Sequence, residues 1–288
     1  MLELSAAIAG LVTGGAYALM GLSILLTYRL VAVVNFAQAA VGAFGAFAMV
    51  LLVEQGLPLW LAVLAGLGVG AAVHALVGLI MVRWFSGAGE GIKTAVTVAV
   101  YTSFIALGLR LFGAQHPHRF PKPFDTPAFT LGNVVVTWMA VITLLLAGLF
   151  AIVPVLLLRH TRIGVLLRAL AERPQTAELI GIPVPRLAMA VWAITGAASA
   201  LAIMIIAGQF ASDFGSQALL ITPALAAALV GAFRSFPLTL VGGMALGILQ
   251  SVASTWSEIK EYRGVLPFVA ILIVLVWSRR KERWDEFA

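Results

Sequence analysis

The amino-acid sequence predicts an all-α integral membrane protein: one transmembrane domain over residues 1–288, built as a polytopic helix bundle of eight to nine spans. Hydrophobic residues make up 62% of the chain and charged residues 10%, with a mean hydropathy of +1.06. A water-soluble domain carries roughly a quarter of its residues as charges. Apolar stretches near the ~20 residues that a helix needs to cross hydrocarbon recur from one end to the other and leave no room for a soluble domain. Runs such as 59–82 and 134–158 are apolar throughout rather than alternating, which excludes a β-barrel and leaves helices as the spanning element.

Polar breaks place the spans at about 5–27, 31–53, 59–82, 94–113, 133–158, 187–210, 218–233, 237–255 and 264–278. The first carries Gly10-xxx-Gly14, the third Gly66-xxx-Gly70 and the eighth Gly243-xxx-Gly247. Glycines four apart share a helix face and let backbones approach closely, so these pairs predict tight packing in a many-helix bundle. The second span holds Asn35, Gln38, Gly42 and Gly45, which makes it the candidate for a broken or re-entrant helix. If it does not cross, the count falls to eight. The segments 41–47 and 230–236 echo one another weakly, as small-residue helices readily do.

The net charge of +6 is spread over loops beside apolar spans, so it marks orientation rather than a nucleic-acid partner. With the Arg-rich loop 159–186 in the cytoplasm, alternation puts thirteen basic residues inside: Arg29, Arg83, Lys93, Arg159, Arg162, Arg168, Arg173, Arg186, Arg234, Arg279, Arg280, Lys281 and Arg283. Outside lie Arg119, Lys122, Lys260 and Arg263, with Arg110 near the outer end of a span. The N-terminus is then outside and the C-terminus cytoplasmic; an eight-span chain would start inside. Met1-Leu-Glu-Leu lacks the basic region of a cleavable signal.

The chain has no cysteine, which rules out disulfides and thiolate chemistry, and the reading calls for no metal and no cofactor. No Asp, Glu or Lys lies deep in a span, where coupled secondary transporters place ionisable groups. The nearest approach to a phosphate-binding loop, Gly87-Ala-Gly-Glu-Gly-Ile-Lys93-Thr94, has Ile92 between glycine and lysine and leads into a span without a preceding strand. The chain therefore does not hydrolyse ATP. No Gly-x-Ser-Gly surrounds Ser23, which argues against an intramembrane protease built on Ser23 and His74.

Polar side chains in hydrocarbon need a partner or a wet cavity, which singles out Tyr17, Asn35, Gln38, His74, Gln209 and Gln250. Asn35 and Gln38 share a face if helical and can each donate and accept toward a polar solute, or bond between helices instead. His74 has no acidic neighbour in its span, so it is read as bonding between helices rather than as a proton relay. In the loop 159–186, Pro174 can open and Gly181 close a short helix, so 175–180 reads as about two rigid turns fit for docking. For 161–171, Val165, Leu166, Leu167 and Leu170 suit a basic helix resting on anionic lipid.

The chain resembles the permease subunits of branched-chain amino acid ABC importers. Three places carry the resemblance: Gly10, Gly14 and Tyr17-Ala-Leu19 followed by Asn35-Phe-Ala37; Gly164, Leu167-Arg-Ala169, Ala177 and Gly181-Ile182; and Ala227-Ala-Leu-Val-Gly231, Ser235, Gly242-Gly243 and Gly247. Together they cover nearly the whole chain in the family's order. It departs at Gln38-Ala39, where the family usually has His-Gly, and at Arg234 and Leu238, which replace glycines; these loosen the choice among amino acids, urea and short amides.

The resemblance implies a bacterial inner-membrane subunit that works with two cytoplasmic ABC ATPase subunits, a second permease subunit, identical or not, and an extracytoplasmic solute-binding protein. It implies a substrate path, for which Tyr17, Asn35 and Gln38 are the candidates. It also implies a cytoplasmic coupling loop at 159–186, with Arg168, Glu172, Gln175, Glu178 and Gly181 making the ATPase contacts. The alternatives are a sugar-type ABC permease and a secondary transporter of small solutes.

Overall fold

The computed structural model describes residues 2–113, 118–131, 134–209 and 213–285, with the side chains of 2, 131 and 278–285 excepted. Arg279, Arg280, Lys281 and Arg283 thus lie outside the described side chains. In order, the helices are α1 (Leu2–Val31), α2 (Gln38–Glu54), α3 (Leu59–Trp84), α4 (Glu90–Phe112), α5 (Trp138–His160), α6 (Arg162–Glu172), α7 (Pro174–Leu179), α8 (Val184–Ala207), α9 (Phe214–Ala218), α10 (Ile221–Val230), α11 (Phe236–Ala253) and α12 (Leu266–Asp285). A 3-10 turn, Lys260–Val265, leads into α12. A two-stranded antiparallel hairpin, β1 (Pro127–Leu131) and β2 (Val134–Thr137), precedes α5.

Six helices among the described residues are long and apolar enough to cross a membrane: α1, α3, α4, α5, α8 and α11. Glycine pairs bring them together. A Cβ at Gly247 would strike the Gly14 backbone and one at Gly243 the Ala18 backbone, so α1 and α11 pack nearly backbone to backbone. Gly66 and Gly70 of α3 meet Gly45 of α2 and Gly196, Ala200 and Met204 of α8 in the same way. α1 is the central post, with 83% of its apolar window buried; α4 is peripheral, at 11%.

Contacts between helix ends sort the bundle into two poles. At one pole, Arg29 donates to the Arg234 carbonyl, and Leu25, Leu30, Leu158, Leu167, Leu170 and Phe236 form one core cluster, so the ends of α1 and α5, the starts of α8 and α11, and α6 sit together. At the opposite pole Trp256 donates to Glu3, the Ser251 hydroxyl donates to the Ala6 carbonyl, and His118 pairs with Glu54 at 3.0 Å.

Several elements depart from the boundaries expected from hydropathy. The stretch 31–53 is a helix only from Gln38: Ala32 turns left-handed (φ 51°), and the chain runs unwound to Phe36. Its backbone is satisfied from outside, because the Thr97 hydroxyl of α4 accepts from the Phe36 N–H (3.2 Å) and lies 3.1 Å from the Val34 carbonyl, while Asn35 Oδ1 accepts from Ala37 N–H (2.9 Å). The expected span 133–158 starts at Trp138, since the β-branched run Val134–Thr137 pairs as β2. The span 218–233 divides into α9 and α10 about Leu219 and Leu220. The echo between 41–47 and 230–236 is not structural: the first lies inside α2, the second turns between α10 and α11 through Ala232 (φ 49°) and Phe233 (φ 51°).

In the loop 159–186, α7 matches the expected short helix, with Pro174 at its first turn and Gly181 beyond its end at φ 88°. The helix α6 differs from expectation. Leu167 and Leu170 bury against α1, α5 and α8 rather than resting on lipid, and Gly164 fits where a side chain would strike Leu157 and Leu158. Thr161 caps it, accepting from Gly164 N–H at 3.0 Å.

Candidate functional site

The polar residues singled out in the sequence fall into two separate groups. Asn35, Gln38 and His74 are fully buried together. Asn35 Nδ2 donates to Gln38 Oε1 (3.0 Å) and to His74 Nε2 (2.5 Å); Gln38 Nε2 donates to Ser199 Oγ (2.6 Å) and to the Thr195 carbonyl (3.0 Å). His74 Nδ1 faces the Trp192 carbonyl at 2.7 Å, so the neutral tautomer protonated on Nδ1 meets both contacts, donating to Trp192 and accepting from Asn35. Thr27 of α1 donates to Thr195 Oγ1 at 3.2 Å and ties the first helix to the group.

This knot joins α1, α3 and α8 to the break before α2. Both amide hydrogens of Asn35 and both of Gln38 are used within it. It fixes where the unwound segment enters the bundle, and an unmet amide here would cost more than in water because nothing replaces the lost bond. His74 bonds between helices, as expected of a histidine without an acidic neighbour, and it is the direct partner of Asn35. Thr195 and Ser199, four apart on α8, carried a signal that went unused: two hydroxyls on one face of an apolar helix.

Tyr17 sits elsewhere. Its hydroxyl donates to Gln250 Oε1 of α11 at 2.7 Å, and Gln250 Nε2 donates to the Arg263 carbonyl at 3.2 Å. These residues line a cavity of about 730 Å³ between α1, α9, α10, α11 and the 3-10 turn. Its wall mixes Thr13, Gln209, Ser216, Gln217, Glu261 and Arg263 with Leu219, Leu220, Pro223, Pro267 and Phe268. On α1 its lining runs from Ala9 to Tyr17, and its charged members, Glu261 and Arg263, belong to the 3-10 turn. The volume suits a small organic solute, and the lining combines apolar surface with a few polar groups, as ligand sites do. Gln209 and Gln250, weighed in the sequence as costly polar groups, belong here.

The loop residues Arg168, Glu172, Gln175, Glu178 and Gly181 are all exposed at the Arg29 pole. Beside them stand two side chains that the sequence reading did not single out, Leu179 and Ile180, at 87% and 73% exposure. Ala177 is buried beneath, and Ile182 N–H closes on the Ala177 carbonyl at 3.0 Å, so α7 is a firm plinth with an apolar tip.

Comparison with known proteins bears on this geometry. Residues 6–275 match the family model described as branched-chain amino acid transport system / permease component. The chain belongs to this family. It is 26% identical over 292 residues to the high-affinity branched-chain amino acid transport system permease protein LivH of Escherichia coli K12, covering 93% of this chain and 91% of that one. A probable LivH permease of Methanocaldococcus jannaschii is 25% identical, covering 90% and 83%, and the BraD permease of Pseudomonas aeruginosa is 24% identical, covering 93% and 91%. Among solved structures, PsaBC from Streptococcus pneumoniae in complex with Fab aligns over 94% of this chain and 90% of that one, with a TM-score of 0.50 and 15% identity, a likeness of fold alone. The protein is accordingly a multi-pass inner-membrane permease subunit of an ABC importer, in a family of transport-system permease components.

Proposed function

We propose that this permease forms the path for branched-chain amino acids in an importer with two cytoplasmic ABC ATPases, a second permease subunit and an extracytoplasmic binding protein. The observation that carries the reading is the match over residues 6–275 to a family whose similar members are named for that transport. The cavity above Tyr17 gives the path a mouth. The chain crosses nine times, with 32–54 and 214–230 as interrupted crossings, the N-terminus outside and the C-terminus cytoplasmic. The basic residues gathered at the Arg29 pole support that orientation.

Within this reading, residues 159–186 are the coupling loop. The tip Leu179–Ile180 enters a groove on the ATPase, ringed by Arg168, Glu172, Gln175 and Glu178, while Gly181 holds the left-handed turn that no other residue adopts cheaply. Closure of the ATPases moves α7 together with α6, which is keyed into α1, α5 and α8, and so biases the bundle between its two openings. Asn35 and Gln38 set the shape of the path by fixing the start of α2, and Tyr17 faces the solute.

Co-purification and uptake test it. Glu178→Arg and Gly181→Pro are expected to weaken ATPase binding roughly tenfold and to lower leucine uptake with it. Unchanged co-purification and uptake in both would remove the coupling assignment.

A further inference from the structure

The cavity above Tyr17 has two charged residues in its wall, Glu261 and Arg263, on the same 3-10 turn. Two residues apart at about three residues per turn, they diverge by roughly 120° yet both line one cavity. The turn is anchored rather than loose: Gln250 Nε2 holds the Arg263 carbonyl, and the other end of the same amide receives the Tyr17 hydroxyl. The same lining carries apolar surface at Leu219, Leu220 and Phe268.

The geometry points to Glu261 and Arg263 as a zwitterion reader: the carboxylate meets a solute's α-ammonium, the guanidinium meets its α-carboxylate, and the aliphatic side chain lies on the apolar part of the same lining. This inference rests on the proposed transport function and narrows it. A neutral amide such as urea presents neither charge, and a hexose presents no charge at all, so a lining with one acid and one base favours an α-amino acid over either. Both residues are exposed, which keeps their charges near water and suits a step that must bind weakly and release. Tyr17 and Gln250 are positioning residues here, because they hold the turn that carries the charges.

The test uses the complete importer in proteoliposomes, with its binding protein loaded with leucine, and reads both leucine uptake and ATP hydrolysis stimulated by that protein. E261Q and R263Q are each expected to lower leucine moved per ATP roughly five- to tenfold while stimulated hydrolysis stays at wild-type level, because docking is untouched. K260Q, on the same turn but outside the cavity wall, is expected to behave as wild type. Loss of stimulation in step with uptake would make the pair a docking surface for the binding protein and overturn the inference. So would leucine per ATP equal to wild type in both variants. A wild-type complex that moves no leucine, isoleucine or valine would instead overturn the substrate reading itself, and this inference with it.

Discussion

Tyr17 and Asn35 stand in adjacent spans and looked alike in the sequence, as polar groups in apolar company. In the folded chain they belong to opposite kinds of place. Asn35 lies in a buried knot where every amide hydrogen of Asn35 and Gln38 has a protein partner. Tyr17 lines a cavity of about 730 Å³, where its hydroxyl donates to Gln250. A saturated group buried on all sides has nothing to offer a passing solute and much to lose when a neighbour is removed. A group on a cavity wall has the reverse balance. The two regions should therefore answer mutation in opposite ways, in stability at the knot and in transport at the cavity.

The largest effect is expected from His74→Ala. It empties a fully enclosed site and strips a partner from both Asn35 and the Trp192 carbonyl, which should cost about 3–5 kcal/mol and appear as collapse of the folded fraction in detergent size-exclusion after heating. Gln38→Ala should follow, at roughly 2–3 kcal/mol, because it orphans one buried Asn35 hydrogen and removes the bonds to Ser199 and the Thr195 carbonyl. Per molecule that reaches the membrane folded, its choice among leucine, isoleucine and valine should match wild type. A shift in that choice with unchanged thermal stability would place Gln38 in the path and erase the contrast. Tyr17→Phe should cost least in stability, about 1 kcal/mol or less, yet slow leucine uptake roughly threefold by freeing Gln250 and the turn it steadies. Wild-type uptake in Tyr17→Phe would confine the hydroxyl to packing.

A second contrast lies within the loop 159–186. Both α6 and α7 are short and carry apolar residues, but α6 turns Leu167 and Leu170 into the bundle whereas α7 turns Leu179 and Ile180 away from it. The α7 helix was legible because Pro174 and Gly181 act through their own backbones, whatever surrounds them. The burial of α6 was not, since an amphipathic helix has the same pattern on lipid as on protein.

The sequence by itself determined the solvent, the class of structure and most spans, because crossing hydrocarbon is a requirement on local composition and length. It also determined the close helix contacts, since glycines four apart at Gly10, Gly66 and Gly243 state their purpose without a named partner. Tertiary structure alone decided which polar residues face each other. The partners of Asn35 are His74 on α3 and, through Gln38, Ser199 on α8; that of Tyr17 is Gln250 on α11. The unwound stretch before Gln38 was decided the same way, by Thr97 of α4 offering the backbone the bonds a helix would have supplied. A hydrogen bond is a relation between two sites, and the chain places those sites in contact only once its apolar spans have packed.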